Sequence, residues 1–232
     1  VSIKENIQLI RQRVKKAALA VGRDPQEIKI IVAAKTQSIF ALEEVIAAGI
    51  TDLGENRVQE AEAHFQALKD KYPHVVWHMI GHLQRNKVRQ ALDLFGIIQS
   101  VDTERLISTL QEKAQKQNRA ISILIEINTS GEQSKYGVPA DSALEFVKQV
   151  SNCHNVQVKG LMTMAPFIED EKIIRPCFKK LKELNQEIKR LNLPNVEMQY
   201  LSMGMSDDFE TAIAEGSNMV RIGRAIFGPR GG

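Results

Sequence analysis

The chain has 232 residues, with 31 basic and 28 acidic side chains spread along it and a formal net charge of +3; that balance lacks the basic cluster a dedicated nucleic-acid surface needs. Hydrophobic residues make up 43% and charged residues 25%, an ordinary globular balance, with no apolar run near the roughly 20 residues of a membrane span and no signal-peptide layout in Val-Ser-Ile-Lys-Glu-Asn. Cys153 and Cys177 lie outside any metal or redox spacing, so the sequence predicts a cytoplasmic protein that takes neither nucleic acid, membrane nor metal as partner.

No linker divides residues 1–232, which read as one domain. Ile3, Ile7, Ile10, Val14, Ala17 and Val21 recur at steps of three and four, predicting an amphipathic helix over about 2–21 that ends at Gly22-Arg-Asp-Pro25. Ile28–Ala34 reads as the first strand and stops at Lys35, and a helix from Ser38 to Gly49 follows. Next come Thr51–Leu53 with a helix from Arg57 to Asp70, Val75–Ile80 with a helix from Asn86 to Leu94, and Ile97–Val101 with a helix capped by Asp102 or Thr103. Ala120–Ile127 is the fifth strand. Val138–Asp141 is expected to open a helix running to Asn152, with Pro139 tolerated in a first turn that needs no N–H. Val156–Met162 is the sixth strand, and a long helix from Asp170 to Leu191 follows it. Val196–Leu201 and Asn218–Ile222 are the seventh and eighth strands, with a shorter helix between them.

Strands alternating with helices imply parallel pairing with right-handed crossovers. About eight such units in a chain near 250 residues match an α/β fold of the closed (β/α)8 TIM-barrel kind, here with an extra N-terminal helix. An open doubly wound sheet would carry a glycine-rich first turn, whereas this one is Ala34-Lys35-Thr36-Gln37. Working groups in such a barrel come from the C-terminal strand ends. Those ends carry Lys35, Asn56, His82, Ser100, Asn128, Met162, Ser202 with Ser206, and Arg221 with Gly223.

Lys35 ends Ile-Ile-Val-Ala-Ala, which places its amine at the rim of an apolar barrel interior. Partial burial favours the neutral amine, the form that attacks an aldehyde, although a strand-end lysine also commonly snorkels into solvent. Its company gives it weight. Ser202-Met-Gly-Met-Ser206-Asp-Asp208 leads into a helix, and Arg221-Ile-Gly223-Arg224 closes the eighth strand; loops at these two places commonly bind phosphate in this barrel. An amine facing a phosphate site suggests a phosphorylated aldehyde. By contrast, His78 and His82 straddle a strand end with no further ligand at metal spacing, and Asn128-Thr-Ser130 is an incidental glycosylation match.

Several segments taken together, Val32-Ala-Ala-Lys35-Thr, Gly54-Glu-Asn56-Arg-Val-Gln-Glu60, Trp77-His-Met-Ile-Gly81-His82, Gly160-Leu-Met162, Leu201-Ser-Met-Gly-Met-Ser206 and Arg221-Ile-Gly-Arg-Ala-Ile-Phe-Gly228, resemble the pyridoxal phosphate homeostasis protein family. The resemblance implies a barrel of the alanine-racemase type that binds pyridoxal 5′-phosphate in vitamin B6 homeostasis without established turnover. It implies Lys35 as the Schiff-base lysine and Ser206, Gly223 and Arg224 as phosphate-binding positions, the last through its backbone N–H. Arg221 falls to the pyridine nitrogen, Asn56 and His82 to the surroundings of the ring, and Lys135 to a loop linked with cofactor exchange. A guanidinium leaves the ring nitrogen unprotonated and the ring a weak electron sink. With Tyr72, Tyr136 and Tyr200 as the only tyrosines and the chain ending soon after Gly228, no second base is evident. A monomeric carrier that touches apo-enzymes transiently is expected, with a racemase-like enzyme as the alternative.

Overall fold

The computed structural model describes residues 2–168 and 170–228; the outermost parts of the expected 1–232 domain, Val1 and residues 229–232, lie outside the described residues. Helix α1 (Ile3–Ala20) begins with a capping box: the Ser2 hydroxyl accepts the Glu5 N–H while the Glu5 carboxylate accepts the Ser2 N–H. Its apolar stripe of Ile7, Ile10, Val14 and Ala18 is buried.

The strands that follow are β1 (Lys29–Ala33), β2 (Asp52–Glu55), β3 (Val76–Met79), β4 (Ile97–Val101), β5 (Ile121–Asn128), the two-residue β6 (Val138–Pro139), β7 (Val156–Met162), β8 (Val196–Ser202) and β9 (Met219–Ile222). The helices are α2 (Ile39–Ala47), α3 (Val58–Leu68), α4 (Val88–Leu94), α5 (Glu104–Lys116), α6 (Ala143–Val150), α7 (Glu171–Arg190), α8 (Phe209–Ala214) and α9 (Arg224–Phe227). Every pairing is parallel. The order β4-β3-β2-β1-β9-β8-β7-β5, with β4 also paired to β5, closes an eight-stranded barrel, as the strand–helix alternation predicts.

The expected helix start at Val138–Asp141 is corrected. Val138 and Pro139 pair with Ile127 and Asn128 of β5, a 3₁₀ turn covers Ala140–Ser142, and α6 begins only at Ala143. Burial of Val138 favours the pairing, and proline is tolerated because this short strand stands at a sheet edge.

Alternation along each strand divides the interior in two. Val32, Leu53, Trp77, Ile98, Ile123, Leu201 and Val220 face outward into the large core beneath the helices. Inside the barrel lie Ile31, Leu124, Met162 and Met219 with Ile80 above them. The interior is not uniformly apolar, as the reading of Lys35 supposed: Asp52, His78, Gln99, Ser202, Arg221 and Glu126 are also buried. Gly160 is required where β7 meets β8, since it has φ +151° and a Cβ there would lie 1.9 Å from the Tyr200 carbonyl oxygen.

Candidate functional site

Lys35 follows β1 in a tight turn, half-buried, and borders a cavity of about 560 Å³ at the C-terminal end of the barrel. Asn56, Ser206, Arg221, Gly223 and Arg224 border the same cavity. Its apolar walls include Ala33, Ile80, Met164, Met205 and Phe167. Of the seven positions that the resemblance places on the phosphate or around the ring, all but His82 border this one cavity.

One end of the cavity is built from the turn after β9 and Ser206. The Ser206 hydroxyl accepts the N–H groups of Gly223 (3.4 Å) and Ala225 (3.2 Å), which gathers a hydroxyl and two amides at the start of α9. Ser206 therefore serves the turn after β9; the turn into α8 is held instead by Asp208, whose carboxylate accepts the Met205 N–H at 2.5 Å. The Arg224 guanidinium is ion-paired with Asp207 and stands 5.5 Å over the Phe167 ring, both of which border the same cavity.

Arg221 forms the buried polar part of the cavity. Its register neighbour on β1 is Ile31, deep in the barrel, and only 5% of its surface is exposed. One terminal nitrogen donates to the Ser202 hydroxyl (2.6 Å), the other to the Thr163 carbonyl (2.8 Å). Burial lowers its pKa to about 10, against the opposing charges of Glu126 and Asp208; it remains a cation and a pure donor at neutral pH. Ser202 in turn donates to Gln99 Oε1 (2.6 Å), Gln99 Nε2 meets His78 Nδ1 (3.0 Å), and His78 Nε2 meets Asp52 Oδ1 (3.0 Å). Thr51 and Lys29 complete the carboxylate's shell. Burial would raise the Asp52 pKa, but hydrogen bonds from His78 and Thr51 and the nearby charge of Lys29 prevail and bring it to about 2. A chain of hydrogen bonds thus crosses the barrel interior and ends on Arg221.

In the sequence His78 stands out only by its spacing from His82, and Gln99 and Asp52 do not stand out at all. The available signal was polar residues at inward positions of otherwise apolar strands. Glu126, inside β5, was missed for the same reason. It borders a second cavity of about 270 Å³ with Lys135 and Tyr136, and the two cavities share Met164, Phe167 and Met205. Burial and the Asp102 charge raise the Glu126 pKa to about 7, with Arg221 pulling the other way. Lys135 Nζ lies 3.0 Å from Glu132 Oε1.

His82 borders neither of these cavities. Gly81 packs so closely that a Cβ would lie 2.5 Å from the Asn56 carbonyl oxygen, and the Ser100 hydroxyl donates to the Gly81 carbonyl at 2.5 Å. Beyond this fixed turn the His82 ring stacks on Tyr136 of the second cavity, with centroids 4.2 Å apart, and its Nδ1 lies 3.9 Å from Asp102 Oδ2. Asn128 holds its own loop, accepting the Gly131 N–H (2.9 Å) and donating to the Glu132 carbonyl (2.8 Å).

Fold and site together define a closed parallel barrel that presents a lysine, a serine bonded to the amides of a turn and a buried arginine to one cavity. The sequence profile of the family described as alanine racemase, N-terminal domain, matches residues 2–231. The chain is 40% identical over 226 residues to the pyridoxal phosphate homeostasis protein of Aquifex aeolicus, with 97% of each chain covered. It is 36% identical to the protein of that name from Escherichia coli strain K12, covering 98% and 97%. Among solved structures, PipY of Synechococcus elongatus with PLP bound shares 30% identity at a TM-score of 0.86, covering 98% of this chain and all of that one. The alanine racemase of Clostridium difficile, at 12% identity and a TM-score of 0.73, covers 96% of this chain and 57% of that one and shares the fold. This chain belongs to the pyridoxal phosphate homeostasis protein family.

Proposed function

We propose that this chain holds pyridoxal 5′-phosphate through a Schiff base on Lys35 and serves as a carrier of the cofactor in vitamin B6 homeostasis, without catalytic turnover. The observation that carries the reading is the meeting of Lys35, Ser206 with the turn after β9, and Arg221 in one cavity. The residues fit the group. When bound, it supplies an aldehyde, a phosphate and a ring nitrogen that can accept a hydrogen bond.

Lys35 provides the amine. The Ser206 hydroxyl and the amides of Gly223, Arg224 and Ala225 receive the phosphate, with Arg224 acting through its backbone because its guanidinium is paired with Asp207. Arg221, fixed by Ser202 and Thr163, donates to the ring nitrogen and keeps it unprotonated, which weakens the ring as an electron sink. Asn56 borders the ring. His82 supports Tyr136, at the adjoining cavity, by stacking.

The reading extends to a cytoplasmic monomer. The apolar stripe of α1 is spent on the barrel rather than on a second subunit, and both cysteines are free thiols. No helix among the described residues is long and apolar enough to cross a membrane. Exposed Phe167 at the cavity suits brief contact with apo-enzymes that accept the cofactor.

Absorbance tests the core of this reading: the protonated-imine band is expected in the wild type and absent from Lys35→Ala, and equal bands in both would defeat it. Racemase-like turnover is the competing reading, favoured by Glu126 and Tyr136 in the adjoining cavity. Incubating the loaded protein with single-enantiomer amino acids separates the two, and we expect no mirror form.

A further inference from the structure

β2 ends in a residue that faces away from the barrel interior. Leu53 and Glu55 point outward beneath the helices, and Glu55 is fully buried there. A carboxylate in that layer requires a partner. One oxygen has it: His64 Nδ1, from α3, lies 2.6 Å from Glu55 Oε1. The other oxygen is buried with no hydrogen bond among the described residues. The far side of the imidazole, Nε2, lies 3.0 Å from the carbonyl oxygen of Gln37, two residues beyond Lys35.

That carbonyl belongs to a strained turn. Thr36 has φ +62°, a left-handed conformation that is costly for a β-branched residue. The turn is held from three sides. The Gln37 N–H donates to Ala34, the Thr36 N–H to Glu60 Oε2 (3.3 Å), and His64 engages the Gln37 carbonyl. Glu60 and His64 are four apart on α3 and so share one face.

Proton counting fixes the state of the ring. A carbonyl only accepts, so Nε2 must carry hydrogen, and the short Nδ1–Oε1 contact must hold a second proton between ring and carboxylate. Burial raises the Glu55 pKa, and the Glu55 hydrogen bond raises that of His64. The charged groups facing the ring are Glu55 from β2 and Glu60 from its own helix, while Arg57 lies 3.7 Å from Glu60. Loss of the shared proton would let neutral His64 bind Glu55 through Nδ1–H, leaving a bare Nε2 lone pair against the Gln37 carbonyl.

We infer that His64, backed by buried Glu55, is the positioning residue for Lys35, clamping the Lys35–Gln37 turn to α3 so that the amine is presented to the cavity. The inference rests on the reading of Lys35 as the aldehyde-binding amine. It makes the hold on an aldehyde depend on a proton that is not on the lysine.

The test compares His64→Gln, whose amide can replace the Nε2–H donor, with His64→Asn, whose shorter amide reaches only the Nδ1 position. Thermal melts of both variants confirm folding. Pyridoxal 5′-phosphate affinity is expected within about threefold of wild type for the glutamine variant and about tenfold weaker for the asparagine variant. Wild type should lose affinity on the alkaline side in a step that the glutamine variant lacks. In the apo-protein, ring nitrogen shifts should show His64 protonated at both positions near neutral pH. Equal affinities and pH profiles in the two variants, or an unprotonated Nε2, would overturn the clamp. Lys35→Ala, measured alongside, separates the two levels: a retained imine band sinks the lysine reading and the clamp with it, whereas a lost band with indifferent His64 variants sinks the clamp alone.

Discussion

Ser202→Ala probes how the barrel interior fixes Arg221. The hydroxyl accepts from Arg221 and donates to Gln99 Oε1, each at 2.6 Å, and Ser202, Gln99 and Arg221 are all almost fully buried. Its removal leaves a guanidinium nitrogen and an amide oxygen without a partner. A buried hydrogen bond to a charged group contributes about 1.5–3 kcal/mol and a neutral one about 1 kcal/mol, so the loss should total about 3 kcal/mol. At 2–4 °C per kcal/mol for a chain of this size, Tm should fall by roughly 6–12 °C. Urea unfolding measures the loss directly. The double variant Ser202→Ala, Gln99→Leu tests the cause: Gln99→Leu alone frees both the Ser202 hydroxyl and His78 Nδ1, so the double variant should cost less than the sum of the two single losses, a coupling expected only between partners in one chain. A change below about 0.5 kcal/mol in Ser202→Ala, or simple additivity in the double variant, would refute the connected chain.

Three further outcomes follow from the same geometry. Asp52, at about 2 in the folded protein against a reference of 3.8, contributes stability that is fully present above pH 4 and lost as pH falls through 2. The amount is about 2 kcal/mol, and an acid titration of unfolding free energy should show that limb shrink in Asp52→Asn. Glu126 has the opposite sign: its folded value of about 7 exceeds its reference of 4.5, so stability is lost as pH rises from 4.5 to 7. Glu126→Gln should therefore gain about 3 kcal/mol relative to wild type between pH 4.5 and pH 8 in denaturant melts. Ser206→Ala should weaken pyridoxal 5′-phosphate binding by roughly tenfold while affecting pyridoxal, which lacks the phosphate, far less.

Much of this architecture was legible because the barrel writes its layout in hydrophobic patterning. Ile97–Val101 and Val156–Met162 appear at the predicted bounds, and α7 lies between the predicted Asp170 and Leu191 as its two caps. Val138–Pro139 misled because proline suits both a helix start and an edge strand, and only the proximity of Ile127 and Asn128 decides. Lys35, Asn56, Arg221 and Gly223 were readable as polar or glycine residues at strand ends. Ser206 was readable as part of the site but not as a partner of α9, since that contact joins the loop after β8 to the turn after β9. His82 is readable in the same way, and it meets the second cavity through its stacked partner Tyr136 rather than bordering the first. The chain from Asp52 to Arg221 links five different strands, and its connections exist only once the barrel has closed.

Borohydride trapping followed by peptide mass mapping puts the central claim to its most direct test. Protein loaded with pyridoxal 5′-phosphate and reduced should carry one phosphopyridoxyl group, on the peptide containing Lys35, and Lys35→Ala should carry none there. A principal adduct on any other lysine, or no adduct in the wild type, would contradict the account.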